Sequence, residues 1–167
     1  MEFKGTLIPV GGNENKGIGL KESECLDFIK QGILSVIVRE SGGIGARIVV
    51  ITTASSIPVE VGENYSQAFE TLGCQTVQIV DVRKRSEAQL KKNVKLIEEA
   101  DCIMFSGGDQ SRIVKCFADT TAHQIIRKKL EETKLVLAGT SAGAMSMSLQ
   151  MIAGGSVVDA MQKGNVK

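Results

Sequence analysis

Short apolar runs rich in Val and Ile alternate with longer amphipathic segments along most of the chain. The runs at residues 6–10, 47–52, 76–80, 102–105 and 134–138 have the length and the β-branched content of buried strands. Segments of helical length separate them. This alternation predicts βαβ units, a parallel sheet and helices on both of its faces, which is the α/β class.

The segments between these runs carry apolar residues at helical spacing. After the first run, one face contains Cys25, Phe28, Ile29, Gly32, Ile33, Val36 and Ile37, which predicts a single helix ending at Ser41-Gly42-Gly43. Further helices are predicted over residues 60–72, 87–99, 112–118 and 123–132. Their expected inward residues include Val61, Tyr65, Phe69 and Leu72 in the second helix, and Leu90, Val94 and Ile97 in the third.

Glycine-rich turns follow the first, fourth and fifth strands. Parallel α/β sheets bind their ligands outside the carboxyl ends of the strands. We therefore expect Gly11-Gly12, Gly107-Gly108 and the turn that begins at Gly139 to converge on one cleft.

The turn after the fifth strand contains a G-x-S-x-G motif, Gly139-Thr140-Ser141-Ala142-Gly143. In a nucleophile elbow, this spacing puts a serine at a strained strand-to-helix turn, and the small flanking residues let strand and helix approach closely. Free N–H groups at the start of the helix would stabilise an oxyanion. The motif predicts Ser141 as a nucleophile, with a tight turn without chemistry as the alternative.

The turn after the fourth strand, Gly107-Gly108-Asp109-Gln110, is the second candidate for chemistry. Consecutive glycines allow a backbone that directs N–H groups into a cleft. Amides of this turn, together with the amide of Ala142, are therefore candidate oxyanion-hole donors. The alternative is an ordinary turn in which Asp109 caps the next helix.

The loop after the first strand resembles a phosphate loop only in part. G-x-x-x-x-G runs from Gly12 to Gly17, but Ile18-Gly19 stand where Lys and Ser/Thr are required. We expect a loop that borders the cleft. A nucleotide-binding, flavodoxin-like module is a minority alternative.

The net charge, the aromatic content and the cysteines indicate which partners and which cellular compartment to expect. A net charge of +1 and the absence of Trp give no indication of a nucleic-acid or membrane surface. The four cysteines show no C-x-x-C pairing and no metal-like clustering with histidine. They are typical of thiols in a reducing compartment. Without a signal-peptide pattern or a long apolar stretch, we expect a cytoplasmic protein and no membrane partner.

A general base for Ser141 is not evident in the sequence. His123, the one histidine, lies in the helical connection before the fifth strand, away from the expected cleft. We interpret it as a surface or helix-start residue, because a base must first satisfy geometry. After Ser141 the sequence has no histidine, and Asp159 is its one acid.

Several segments in order resemble the cyanophycinase family of serine peptidases, which also contains aspartyl dipeptidase. They are residues 139–144 with Met151-Ile152-Ala153-Gly154-Gly155, Gly11-Gly12 with Glu14 and Lys16, residues 50–56, and Phe105-Ser106-Gly107-Gly108-Asp109-Gln110. The resemblance extends over nearly the whole chain, so it is more specific than any one motif.

The resemblance implies a three-layer α/β/α fold with a mainly parallel sheet, of the class I glutamine amidotransferase (flavodoxin-like) type. It implies hydrolysis of cyanophycin, a polyaspartate with arginine on each side chain, to β-Asp-Arg dipeptides. Ser141 would be the nucleophile, Gly108 or its neighbour Asp109 and Ala142 the oxyanion-hole donors, and Gln110 a substrate-binding residue. No metal or organic cofactor is expected, and the family usually forms homodimers.

One departure from the family pattern concerns the base. In the family a histidine follows the serine in an Asp-Gln-His segment, and residues 142–167 contain no such segment. We therefore expect a single α/β domain over residues 1–167 that is the N-terminal part of a longer catalytic domain. On this expectation the chain by itself hydrolyses very slowly or not at all. Aspartyl dipeptidase activity, or a binding domain without catalysis, remain as alternatives.

Overall fold

The computed structural model describes residues 3–19 and 21–152, apart from the side chains of residues 22 and 23. Its strands are β1 (Thr6–Val10), β2 (Arg47–Ile51), β3 (Thr76–Val80), β4 (Cys102–Phe105) and β5 (Val136–Thr140). Its helices are α1 (Glu22–Gln31), α2 (Ile33–Glu40), α3 (Pro58–Thr71), α4 (Lys91–Glu99), α5 (Gln110–Phe117), α6 (Thr121–Glu132) and α7 (Ala142–Met145). A 3-10 turn, Glu87–Gln89, precedes α4.

All neighbouring strands are parallel, in the order β1-β5-β4-β2-β3. Successive residues of a strand point to opposite faces of a sheet. In β4, Cys102 and Met104 pack on one face, and Ile103 and Phe105 pack on the other. The central strands are therefore apolar throughout, as expected of a sheet that is covered on both sides.

Two apolar cores lie on the two faces of the sheet. The first joins β2, β4 and β5 to α4, α5 and α6, with Ile97, Phe117 and Ile126 among its buried residues. The second joins the same strands to α1, α2 and α3, with Phe28 and Phe69 among its buried residues. This is the predicted three-layer α/β/α arrangement, and the fold class is confirmed.

The single helix predicted after β1 is wrong, because the chain breaks at Gly32. This residue has φ −62° and ψ 149°, so α1 ends and α2 begins there. Glycine is among the least favourable residues in a helix interior. The break rotates the second helix relative to the predicted face. As a result Leu34 and Val38 are buried, whereas Ile29 and Ile33 are exposed.

Other helix boundaries differ by a few residues. The segment predicted as one helix over 87–99 is a 3-10 turn followed by α4, and Leu90 between them is exposed rather than inward. Strand β5 extends to Thr140, two residues beyond the prediction, and so reaches Ser141 directly. In the part of the chain that the structure describes, every helix is too short or too polar to cross a bilayer.

The loops after β2 and β4 meet at the point where the strand order reverses. From β2 the chain adds β3 on one side, and then returns to place β4 on the other side. Such a reversal opens a crevice at the carboxyl edge of a parallel sheet. The amide of Asp109 after β4 donates to the carbonyl of Ala54 after β2, at 3.0 Å, so the two loops are joined there.

Candidate active site

Ser141 occupies a strained turn between β5 and α7. Its backbone has φ 50° and ψ −109°, a combination that non-glycine residues rarely adopt. The Ser141 amide donates to the carbonyl of Val10 at 2.9 Å, which ties the turn to the end of β1. The residue is exposed, and its side chain makes no capping hydrogen bond to α7. A strained strand-to-helix turn with an exposed serine is compatible with a nucleophile elbow, and the role of Ser141 as nucleophile stays a prediction.

The glycines of the motif are required by close packing. A Cβ on Gly139 would lie 2.6 Å from the carbonyl carbon of Gly143, so strand and helix nearly touch. A Cβ on Gly143 would overlap the backbone carbonyl of Phe105 at the end of β4. The predicted reason for small residues on both sides of the serine is confirmed.

The Gly107-Gly108 turn lies beside Ser141. A Cβ on Gly107 would stand 3.6 Å from the Cβ of Ser141. Gly108 has φ 139°, and a Cβ there would lie 2.5 Å from the carbonyl carbon of Ala54. Only glycine therefore fits at this position, where the loop after β4 presses on the loop after β2.

The three predicted oxyanion-hole donors differ in their surroundings. The Asp109 amide is already committed to the carbonyl of Ala54, and the Asp109 carboxylate accepts from the amide of Ser111 as the N-cap of α5. Asp109 therefore caps α5, which was the alternative to its role as an oxyanion-hole donor. Ala142 is the first residue of α7, where an amide has no acceptor within the helix. Gly108 and Ala142 remain as the candidate pair.

Gln110, the predicted substrate-binding residue, is the first residue of α5. Its side-chain amide donates to the backbone carbonyl of Ile152 at 2.5 Å. The side chain therefore lies at the edge of the same loop and has an acceptor from the segment after α7. A substrate that uses Gln110 would have to replace this bond.

A buried carboxylate, Glu14, lies behind the serine turn. Thr140 Oγ1 donates to Glu14 Oε2 at 2.5 Å, Tyr65 Oη donates to Oε1, and Lys16 Nζ lies 3.0 Å from Oε1. Burial raises the pKa of Glu14, but the hydrogen bonds from Thr140, Tyr65 and Lys16 outweigh it and hold the pKa below its usual value. Burial and the neighbouring carboxylate raise the pKa of Tyr65, which therefore stays a donor.

The sequence did not reveal this cluster. Glu14 and Lys16 entered only through the family resemblance, and Tyr65 was assigned to the apolar face of its helix. A single buried tyrosine was the available signal, but its partner lies 51 residues away in the chain. Arg83 was also missed as a structural residue. Its guanidinium donates to the carbonyl of Ser55 at 2.8 Å and pairs with Asp81, which supports the loop after β2.

His123, interpreted from the sequence as a surface or helix-start residue, is exposed. It is in the first turn of α6, where its Nδ1 accepts from the amide of Asp119 at 3.2 Å. The sequence contains no other histidine. The other acid named from the sequence, Asp159, lies outside the described residues, as do positions 153–155 of the resembling segment.

Within residues 3–19 and 21–152, a cavity, the cysteines and the acidic side chains were the other candidates for a functional site. A cavity of about 510 Å³ lined in part by Asn15, Phe28 and Gly32 lies beside α1 and does not include Ser141. All four cysteines are free thiols. Among the described residues, no three His, Cys, Asp or Glu side chains are grouped closely enough to hold a metal ion.

Known proteins that resemble this chain are peptidases and cyanophycinases. Residues 15–164 match peptidase family S51. The chain is 34% identical over 152 residues to the cyanophycinase of Nostoc sp. (strain PCC 7120), covering 91% of this chain and 47% of that protein. It is also 34% identical over 154 residues to the cyanophycinase of Geminocystis herdmanii, covering 92% and 53%. The chain thus spans about half the length of the curated relatives it matches.

Solved structures show the same fold. A peptidase from an acI-B1 Actinobacterium superposes with a TM-score of 0.69 at 25% identity, over 89% of this chain and 59% of that one. A putative peptidase E from Listeria monocytogenes EGD-e gives a TM-score of 0.57 at 19% identity, over 86% and 61%. The second likeness concerns the fold alone. With the family match over residues 15–164, we conclude that this chain belongs to peptidase family S51.

Proposed function

We propose that this chain carries the nucleophile of a serine-type peptidase that hydrolyses cyanophycin to β-Asp-Arg dipeptides. The observation that supports it most directly is the strained backbone of Ser141, φ 50° and ψ −109°, within a G-x-S-x-G turn of a family S51 chain. Relatives at 34% identity carry the name cyanophycinase. Their name supports a substrate rich in aspartate and arginine.

The proposed reaction proceeds through an acyl-enzyme. Ser141 Oγ forms a bond to the carbonyl carbon of the scissile amide and gives up its proton to a base. The oxyanion is held by the amides of Gly108 and Ala142 until the C–N bond breaks and the amine leaves with a proton. Water then hydrolyses the ester and restores the hydroxyl. Gln110 would orient the substrate beside the nucleophile.

The base in this scheme lies outside residues 1–167. His123 is held on α6 by the amide of Asp119, and α6 is not part of the serine turn. Without a base, a serine hydroxyl is a weak nucleophile near neutral pH. The other two proposals for this chain are an aspartyl dipeptidase of the same family and a domain that binds such peptides without hydrolysing them. The observation that favours the binding domain is that the Nδ1 of His123, the one histidine of the sequence, already accepts from the amide of Asp119.

Release of β-Asp-Arg dipeptide from cyanophycin tests the proposed reaction. The 167-residue chain should release it very slowly or not at all, whereas binding of the dipeptide should be measurable by calorimetry. Binding should weaken when Gln110→Ala removes the side-chain amide, and Gln124→Ala, on the exposed side of α6, is the matched control. Rapid turnover abolished by Ser141→Ala would contradict an external base, and absence of binding would contradict the substrate.

The surroundings of the enzyme belong to the same proposal. Four free thiols are compatible with a reducing cytoplasm. We propose that the full-length protein is a homodimer, needs no metal or organic cofactor and binds neither nucleic acid nor membrane. Sedimentation of the purified full-length protein measures the oligomeric state, and a sedimentation coefficient of a monomer would contradict the dimer.

A further inference from the structure

The buried Glu14 carboxylate accepts a hydrogen bond from Thr140, the residue that precedes the candidate nucleophile Ser141. Glu14 is 6% exposed, and its side chain has no exposed area. Its hydrogen-bond donors come from three elements: Thr140 ends β5, Tyr65 lies in α3, and Lys16 belongs to the same loop as Glu14. Lys16 Nζ also lies 4.9 Å from the centre of the Tyr65 ring, which is favourable for a cation over an aromatic face.

Stability alone gives no reason for this cluster. Replacing a buried ion pair by apolar residues of similar volume is often neutral or stabilising, because removing charge from water is costly. A buried, fully hydrogen-bonded polar cluster can instead specify one conformation of the groups it joins. Here the cluster binds Thr140, so the conformation that it can specify is that of the next residue, Ser141.

The loop that carries Glu14 touches Ser141 at two further points. The carbonyl of Val10, at the start of the loop, accepts the Ser141 amide. Gly12 follows with φ 124°, and a Cβ there would lie 3.4 Å from the Cβ of Ser141. The loop therefore packs along the serine before the Glu14 side chain returns to bind Thr140. The serine turn and the loop after β1 therefore contact each other at both ends of the loop.

We propose that Glu14 is a positioning residue that holds Ser141 in its strained conformation through Thr140 and the loop after β1. A strained φ persists only where surrounding contacts over-determine it. The hydrogen bond from Thr140 restrains the residue before Ser141, and the loop restrains Ser141 from its other side. This role rests on the proposed function of Ser141 for its catalytic meaning, although the conformation can be measured without catalysis.

Hydrogen exchange of the Ser141 amide reports this restraint directly, because that amide is bonded to the Val10 carbonyl. Thr140→Val keeps the shape of the side chain and removes the donor to Glu14, and it should accelerate exchange at Ser141 about tenfold or more. Thr140→Ser keeps the hydroxyl and should restore slow exchange. Glu14→Gln should accelerate exchange in the same way, since a neutral amide is a poorer acceptor for three donors.

Local positioning and general destabilisation predict different patterns. Exchange of the Ile103 amide in the centre of the sheet reports global unfolding, and it should accelerate much less than exchange at Ser141 in Thr140→Val and Glu14→Gln. Thr120→Val is a matched control, because Thr120 is an equally buried threonine that caps α6. It should leave exchange at Ser141 unchanged. Equal acceleration at Ser141 and Ile103, or no acceleration at Ser141 in either Thr140→Val or Glu14→Gln, would overturn the positioning role.

Reactivity of Ser141 links the conformation to chemistry. Labelling of Ser141 by a fluorophosphonate should slow in Thr140→Val and Glu14→Gln and recover in Thr140→Ser. Labelling should be slow, because the proposed scheme places the base outside residues 1–167. If Ser141 is labelled no faster than the other serines of the unaltered chain, the proposed function of Ser141 fails, while the exchange pattern still decides the positioning role. If Ser141 of the unaltered chain is labelled, but Thr140→Val changes neither the labelling rate nor the exchange rate at Ser141, the positioning role alone fails.

Discussion

Removing the side chain of Ser141 should make the protein more stable. With φ 50° and ψ −109°, Ser141 has a backbone conformation that suits glycine and strains residues with a Cβ. Such strain costs about 1–3 kcal/mol at a single residue. Ser141→Gly relieves it, whereas Ser141→Ala removes only the hydroxyl and keeps the Cβ. The comparison between these two variants therefore isolates the strain.

The expected difference is small but measurable. Glycine makes the unfolded chain more flexible, which lowers stability by about 0.4–1 kcal/mol. Subtracting this from the mid-range strain leaves Ser141→Gly more stable than Ser141→Ala by about 1 kcal/mol. For a chain of this length, that corresponds to a Tm higher by about 2–4 °C. Thermal unfolding followed by circular dichroism, with urea unfolding in parallel, gives both values.

A glycine substitution one turn later serves as the control. Ala144 lies within α7 and has no strained backbone. Ala144→Gly should therefore lower stability by about 0.5–1 kcal/mol, the usual cost of glycine in a helix. If Ser141→Gly melts at or below the temperature of Ser141→Ala, the serine turn stores no strain, and the reasoning from its backbone is refuted.

Three further results are expected. Gly108→Ala should destabilise the chain by about 2–4 kcal/mol in urea unfolding, because its Cβ would overlap the Ala54 carbonyl. A Cβ on Gly11 would meet no atom within 4 Å, so Gly11→Ala should leave stability nearly unchanged. Equal destabilisation by Gly108→Ala and Gly11→Ala would contradict the close packing at Gly108. Because folding lowers the pKa of Glu14 from 4.5, its ionised form stabilises the fold above that pH and this contribution is lost on acidification. Glu14→Gln should thus flatten the fall in unfolding free energy as the pH drops below 4.5, and an unchanged slope would contradict the stabilising role of the carboxylate. His123→Gln should leave fluorophosphonate labelling unchanged; loss of labelling would make His123 the base.

The sheet was predictable because its strands are short and apolar on both faces. Residues 48–51 can be buried only within a sheet that is covered on both sides. The break at Gly32 was not predictable from periodicity, because the apolar spacing continues across it. What decides it is the packing of α1 against α2, where a Cβ on Gly32 would also lie 3.1 Å from the ring of Phe28.

The serine turn was predictable for a related reason. Its glycines are adjacent in sequence to the serine, so one short motif contains both the strain and the space that it needs. The Glu14 cluster has the opposite character. Its hydrogen bonds join residues that are 51 and 126 positions apart, and no local pattern records such a pairing. The same limit applies to Asp109, whose amide is committed to a carbonyl in another loop.

Covalent labelling of the folded chain is the most direct test that the serine turn makes Ser141 more reactive than other serines. Because the proposed scheme places the base outside residues 1–167, labelling should be slow, and the oxyanion site should be what favours Ser141. A fluorophosphonate forms a tetrahedral adduct on a serine that has an oxyanion site, and peptide mass spectrometry locates the adduct. We expect the label on Ser141 in the folded chain, much slower labelling in urea, and slower labelling in Gly108→Ala than in Gly11→Ala. A label distributed over other serines, or an equal rate at Ser141 in the folded and the unfolded chain, would contradict the account.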